Sequence, residues 1–131
     1  MSVNQGFINM NPLAAYTGKP YDFNLYNCWH HVKKVRLDAG IKTPDFDCLD
    51  IDLINKTFED AHSESKGLRQ IDEPVNYCAV LIARKHRNRL LWHSGVYLDG
   101  MVSHCDRSAK QVHFCTLQEL QSKSERVEFW Q

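Results

Sequence analysis

The sequence lacks several features that mark well-known classes of protein. Its 16 Lys and Arg balance 16 Asp and Glu, so the chain as a whole has no electrostatic attraction for nucleic acid or for an anionic membrane. No apolar stretch approaches the roughly 18 residues of a membrane span, and the N-terminus has no basic segment followed by an apolar core. We therefore expect a protein that is cytoplasmic at synthesis, with neither a membrane span nor a nucleic-acid partner.

Cysteine pairs at the spacing of a disulfide framework or a zinc ribbon are also missing. The five cysteines stand at positions 28, 48, 78, 105 and 115, with no CxxC pair, which favours a reducing compartment. The length of 131 residues, with 43% hydrophobic and 24% charged residues, is typical of one globular domain with its own core. A single domain over residues 1–131 is predicted, with its core at about residues 14–118.

Helical signals occupy the first half of the chain. Residues 12–16 are predicted to form a short helix. Asn27 is a good N-cap, and apolar residues follow at helical spacing until Gly40 supplies a left-handed stop, so a helix is predicted to begin at Cys28. A second helix is predicted from Thr43 to about residue 62, with an apolar stripe along one face.

The second half of the chain has the period of β-strands. Asp99-Gly100 is a strong two-residue hairpin turn. A polar connection is predicted over residues 84–89, and Thr116 is expected to cap a last helical turn. Strands are predicted over residues 75–83, 90–98, 101–105 and 111–115, with an edge strand over 127–130. The predicted fold class is α+β, with N-terminal helices packed on an antiparallel sheet.

One thiol and two imidazoles stand out as candidates for chemistry. Cys28 opens a helix, where unpaired backbone N–H groups and the helix dipole favour a thiolate. A turn at Asp99-Gly100 sets Gly95 opposite His104, which puts His93 and His104 on one face of the hairpin as diagonal neighbours. If Cys28 lies beside His93, the three side chains have the geometry of a catalytic triad.

The same segments resemble the NlpC-like cell-wall peptidases, which are papain-like cysteine hydrolases. The resemblance lies in GKPY at residues 18–21, NCW at 27–29, HSGVYLDG at 93–100 and VSH at 102–104. The chain is short, has an N-C-W segment and is expected to have no signal peptide. In these features it is similar to the members encoded by tailed phages. The usual D-C-S-G around the nucleophile is Asn27-Cys28-Trp29-His30 here, and the preceding loop is short. A rebuilt substrate pocket is therefore expected.

The resemblance implies a role for each matched residue. Cys28 would be the nucleophile, His93 the general base and His104 the group that orients His93. Tyr21 would line the substrate or oxyanion side, together with Trp29, for which core packing is the alternative. The implied activity is cleavage of an amide bond in a peptidoglycan stem peptide, without a cofactor or metal. Phage tail proteins are the implied partners.

Other interpretations of these residues stay open at this stage. The fold would equally serve an inactive structural module of a phage tail tip, or an acyltransferase with the same triad. The other four cysteines are expected to be inert, and a metal cluster formed by the pairs His104-Cys105 and His113-x-Cys115 is a weaker alternative. One of His30 and His31 is a candidate to face the cleft, and the basic run over residues 84–89 is a solvated hairpin tip or an anion-binding patch.

Overall fold

The computed structural model describes residues 11–43 and 68–131. In chain order, the described elements are a 3-10 helix Pro12–Tyr16, α1 Cys28–Asp38, β1 Gln70–Ile71, β2 Ala79–His86, β3 Arg89–Leu98, β4 Met101–Asp106, β5 Gln111–Thr116, α2 Leu117–Lys123 and β6 Arg126–Trp130. The second predicted helix and Cys48 lie outside the described residues. None of the helices in the described ranges is long and apolar enough to cross a membrane.

The strands form one six-stranded antiparallel sheet in the order β1-β6-β2-β3-β4-β5. The predicted α+β class is therefore confirmed, with α1 packed against β3 and β4. The prediction of β6 as an edge strand is wrong, because β6 pairs with β2 on one side and with the two-residue strand β1 on the other. Backbone pairing of Gln70 and Ile71 covers the edge that β6 would otherwise present.

Local sequence signals fix both ends of α1. The Asn27 side chain accepts hydrogen bonds from the backbone N–H groups of Trp29 and His30, both at 3.0 Å. The His30 ring accepts the Asn27 backbone N–H at 3.0 Å, which completes a capping box. Beyond the helix, Gly40 has a φ of 81°, a conformation that glycine adopts without strain. The predicted helix from Cys28 is confirmed.

The hairpin that joins β2 and β3 is tighter than the sequence predicted. The polar run was assigned to a connection over residues 84–89, but β2 continues to His86 and β3 begins at Arg89. The turn therefore holds only Arg87-Asn88, and Arg87 has a φ of 58°. Arg84 pairs with Leu91 in the sheet, and its guanidinium reaches the Asp106 carboxylate, with Nη1 and Oδ2 3.3 Å apart.

Each face of the sheet carries its own apolar core. On the face covered by α1, the core includes Cys28, Trp29, Leu81, Val96 and Leu98. On the face covered by α2, which we call the α2 face, the core is formed by Cys78, Val80, Ile82, Val102, Leu120 and Phe129. Neighbouring residues of a strand point to opposite faces. The face of each functional side chain therefore follows from its position along its strand.

Candidate active site

The β3–β4 hairpin positions the two candidate imidazoles. Its turn, Asp99-Gly100, has φ angles of 48° and 84°, which the short Asp-Gly turn requires at both positions. The register runs from Leu98 opposite Met101 to Val96 opposite Ser103. The predicted hairpin register is confirmed, and it puts His93 and His104 on the α2 face.

The two imidazoles contact each other directly. His93 Nε2 and His104 Nδ1 are 2.8 Å apart, a hydrogen-bond distance. Their rings are nearly perpendicular, at 82°, with centroids 4.9 Å apart. The prediction that these two side chains converge is therefore confirmed.

Gly95 makes this close approach of the strands possible. A Cβ atom at residue 95 would lie 2.9 Å from the Ser103 carbonyl oxygen and 3.0 Å from the His104 Cβ. Both distances are below ordinary van der Waals contact, so a side chain at this position would push β4 and His104 away. Glycine is thus a packing requirement of the imidazole pair.

Four further polar side chains lie around His104. The Cys115 Sγ is 3.7 Å from His104 Nε2, and the Asp106 Oδ2 is 3.9 Å from His104 Nδ1. On the outer side, Arg84 holds the Asp106 carboxylate in an ion pair. The His113 ring lies opposite His104 on β5, with ring centroids 5.9 Å apart. His104 is therefore the centre of a polar cluster that spans β2 to β5.

Burial controls the protonation of this cluster. It lowers the pKa of His104 to about 4, although the Asp106 charge acts in the opposite direction. Burial also lowers the pKa of His93 well below its usual value, assisted by the charge of its partner His104. For Asp106, burial would raise the pKa, but His93 and Arg84 hold it at about 2. At neutral pH the cluster therefore contains two neutral imidazoles and one carboxylate.

Two open clefts reach this cluster from outside. One of about 320 Å³ is lined by His104, Cys115, Asp106, Glu119 and Lys123, among others. The other, of about 450 Å³, is lined by His93, Trp92, Arg84, Lys85 and Arg107, among others. Each histidine of the pair thus borders a cleft large enough for a side chain or short peptide segment.

Cys28 lies on the opposite face of the sheet. Its thiol is in the α1 core beside Ser94, which pairs with Leu81 of the same core. His93, one residue earlier, pairs with Ile82 of the core beneath α2. Because side chains alternate along β3, the predicted alignment of Cys28 with His93 is not present in the structure.

The environment of Cys28 is that of a core thiol. It is 5% exposed, and burial raises its pKa, with the nearby Ser94 and the backbone at the start of α1 offsetting part of the effect. Within residues 11–43 and 68–131, the buried Ser94 Oγ has no partner at good hydrogen-bond geometry. The predicted position of Cys28 at the first turn of a helix is confirmed, and its catalytic role stays a prediction.

The remaining predicted site residues also lie away from the imidazole pair. Trp29 is 1% exposed in the α1 core. Tyr21 packs on a small cluster formed by Tyr26, Cys105 and Val112. Their substrate-binding roles stay predictions.

The two histidines on α1 have structural contacts. The ring of His30 belongs to the capping box. His31 is fully buried, and its ring lies 2.7 Å from the Tyr26 hydroxyl and 2.9 Å from Ser103 Oγ. Both nitrogens of the His31 ring therefore have hydrogen-bond partners.

Sequence reasoning missed Asp106 as a neighbour of His104, and it grouped Cys115 with His104 only in the weaker metal interpretation. The alternation of side chains along each strand indicated the position of both residues. Asp106 is two residues after His104 on β4, and Cys115 pairs with Val102, two residues before it. The weaker metal interpretation grouped Cys105 with Cys115, but Cys105 lies on the α1 side near Tyr26.

No protein-family model matches the chain, and no curated protein matches it significantly. The likeness to the NlpC-like peptidases stays a prediction from the sequence motifs.

Proposed function

We propose that this protein is a cysteine hydrolase that cleaves an amide bond, with His93 and His104 as its proton-transfer group. The observation that carries the proposal is the 2.8 Å contact between His93 Nε2 and His104 Nδ1, at the junction of two open clefts. A base held in position by a second polar group is the arrangement that activates a thiol in cysteine hydrolases.

The protonation state of the pair leaves a ring nitrogen free to accept a proton. Because both imidazoles are neutral at neutral pH, one ring nitrogen is available to accept a thiol proton. The second imidazole fixes the tautomer and ring orientation of the first through their hydrogen bond. After the thiol sulfur attacks the amide carbonyl, the same proton passes to the leaving amine, and water then hydrolyses the thioester.

Cys115 is the thiol that the geometry favours as nucleophile. Its sulfur is 3.7 Å from His104 Nε2, and it lines the smaller cleft with His104. Burial raises the pKa of Cys115 to about 11, and the nearby Glu119 adds to the effect. The resting pair is therefore a neutral thiol and a neutral imidazole, and the proton moves as the sulfur attacks.

Cys28 is the nucleophile that the resemblance to NlpC-like peptidases implies. Its support is its position at the start of α1, where backbone N–H groups are available to stabilise an oxyanion. For Cys28 to act with His93, its thiol must reach the other face of β3. The two candidate nucleophiles therefore predict different effects on activity when each cysteine is replaced by alanine.

Peptidoglycan stem peptide is the substrate that we propose, on the strength of the same resemblance. Stem peptides carry free carboxylates, and the clefts beside the imidazoles are lined by cationic side chains, namely Arg84, Lys85, Arg107 and Lys123. Guanidinium groups bind carboxylates through paired hydrogen bonds. The proposed partner is thus a wall peptide, and an association with phage tail proteins is part of the same proposal.

The test is digestion of purified, dye-labelled peptidoglycan, with new amino termini counted by a labelling reagent. We expect the wild-type protein to release them, and Cys115→Ala to lower the rate at least about 100-fold. Cys28→Ala is the competing variant. Cys78→Ala, a buried cysteine in the core beneath α2, is the matched control, with each rate expressed per amount of folded protein.

The outcomes separate the possible functions. Loss of activity in Cys28→Ala but not in Cys115→Ala would show that the nucleophile is Cys28 on α1. The proposal of a hydrolase would still stand. Incorporation of an added amine into the product would show acyl transfer in place of hydrolysis. Binding to peptidoglycan without any release of amino termini would contradict an enzyme and favour a structural module.

A further inference from the structure

The polar cluster around His104 has the composition of a metal site. His93, His104 and Asp106 each offer one ligand atom, and these atoms all lie within 4.8 Å of one another. We propose that this triplet binds a divalent transition-metal ion of the zinc type. Two imidazoles and a carboxylate, with a position left for water or a ligand, form a typical three-residue metal centre.

The distances between the ligand atoms fit such an ion. Metal–ligand bonds of about 2.0–2.1 Å in a tetrahedral arrangement put neighbouring ligand atoms roughly 3.3 Å apart. The imidazole nitrogens are 2.8 Å apart, and His104 Nδ1 and Asp106 Oδ2 are 3.9 Å apart. These two separations bracket the required value, and the third, between His93 and Asp106, is within 4.8 Å, so side-chain shifts of up to about 1.5 Å would complete the site.

The surroundings support the same assignment. A metal on His104 Nδ1 requires the proton on Nε2, and Cys115 Sγ lies 3.7 Å from that nitrogen as a weak acceptor. The larger cleft borders His93 and Asp106, which leaves room for a fourth ligand from solvent. Arg84 contacts the same carboxylate, so we expect metal binding to displace it.

A metal here would regulate the proposed hydrolase. A metal on His104 Nδ1 fixes a proton on Nε2, the nitrogen that faces the Cys115 thiol, so that nitrogen can no longer accept the thiol proton. The consequence for activity rests on the proposed function, whereas binding itself does not. We therefore expect zinc to inhibit release of amino termini and a chelator to restore it.

Binding is tested with the full chain and Co²⁺ as a spectroscopic probe, followed by displacement with Zn²⁺. We expect one ion per chain, with visible absorption bands of tetrahedral or five-coordinate cobalt and no sulfur-to-cobalt charge-transfer band. Asp106→Asn keeps the size of the side chain and is expected to weaken binding at least about 10-fold. Asp38→Asn, at an exposed carboxylate on α1, is the matched control.

Two outcomes would overturn the metal site, and a third would separate it from the proposed hydrolase. Equal affinity in wild type, Asp106→Asn and His93→Gln would show that the ion sits on other histidines. A strong thiolate charge-transfer band that disappears in Cys115→Ala would place the metal on the opposite ring nitrogen of His104. Metal binding without peptidoglycan cleavage at any zinc concentration would support the metal site and contradict the proposed hydrolase.

Discussion

The two faces of the sheet use buried histidine in different ways. On the α1 face, His31 is enclosed between Tyr26 and Ser103, and both of its ring nitrogens have hydrogen-bond partners. On the α2 face, His93 and His104 bond to each other and border open clefts. Burial depresses the pKa on both faces. A neutral buried imidazole becomes a candidate for catalysis or binding only where a ligand can reach it through a cleft.

Helix length accounts for much of this difference. The 11 residues of α1 pack on β3 and β4 and bury Cys28, Trp29, His31, Val32, Val35 and Arg36. The 7 residues of α2 bury mainly Leu120, so the outer ends of β3 and β4 on that face are left open. The longer helix covers its face of the sheet with a closed core, whereas the shorter helix leaves part of its face accessible as a candidate site.

Acid sensitivity is the largest effect expected from the comparison. The folded-state pKa values of His31 and His104 are about 3 and about 4, below the unfolded value of about 6.5. The unfolded chain therefore binds these protons more tightly, and the free energy of unfolding falls as pH drops from about 6.5 toward 4. Each histidine contributes about 1.4 kcal/mol per pH unit within its window.

Urea unfolding at pH 7, 6 and 5 measures this loss, and two variants assign it to a face. His104→Gln is expected to flatten the slope contributed by the α2 face, and His31→Gln that of the α1 face. Stability that stays constant between pH 7 and pH 5 would show that these imidazoles are not neutral and buried.

Gly95→Ala tests the close packing on the α2 face. The added methyl group meets the Ser103 carbonyl oxygen and the His104 Cβ at 3.0 Å or less, so β4 must move. We expect the free energy of unfolding to fall by about 1–3 kcal/mol, with a loss of the amide-bond hydrolysis because His104 is displaced. Chemical denaturation and the digestion assay together check this, and unchanged stability would show that the strands are farther apart.

Ser94→Ala is the matched change on the α1 face, one residue away. The Ser94 hydroxyl is buried without a well-formed hydrogen bond among the described residues, so its removal costs no interaction of that kind. We expect stability to stay constant or to rise by up to about 1 kcal/mol, with hydrolysis unaffected if Cys115 is the nucleophile. A clear loss of activity in a stable Ser94→Ala protein would point to the Cys28 side.

Much of the fold was accessible to sequence reasoning because its signals are local. Asn27 and Gly40 define the ends of α1, and Asp99-Gly100 sets a hairpin register that brings His93 and His104 together. The strand predicted over residues 75–83 is observed as β2, Ala79–His86. It ends later than predicted because the polar residues Arg84 and Lys85 still pair with β3. Polarity predicts exposure of a side chain, and it does not by itself end a strand.

The relation between Cys28 and the imidazoles could not be obtained from the register alone. The register says which residues of β3 share a face, but the nucleophile comes from another element. Val96 and Leu98 of β3 lie in the α1 core with Cys28, and His93 points to the opposite face. Which face α1 covers depends on the packing of the whole sheet, and that choice separates Cys28 from His93.

By itself, the sequence determined the elements and the pairing of His93 with His104, because capping, turn chemistry and strand alternation act over a few residues. Tertiary structure decided which face of the sheet α1 covers, and with it which thiol lies near the imidazoles. It also brought Asp106, Arg84 and Cys115 from three strands to one cluster. These choices depend on apolar burial summed over the whole sheet, which no local pattern in the chain specifies.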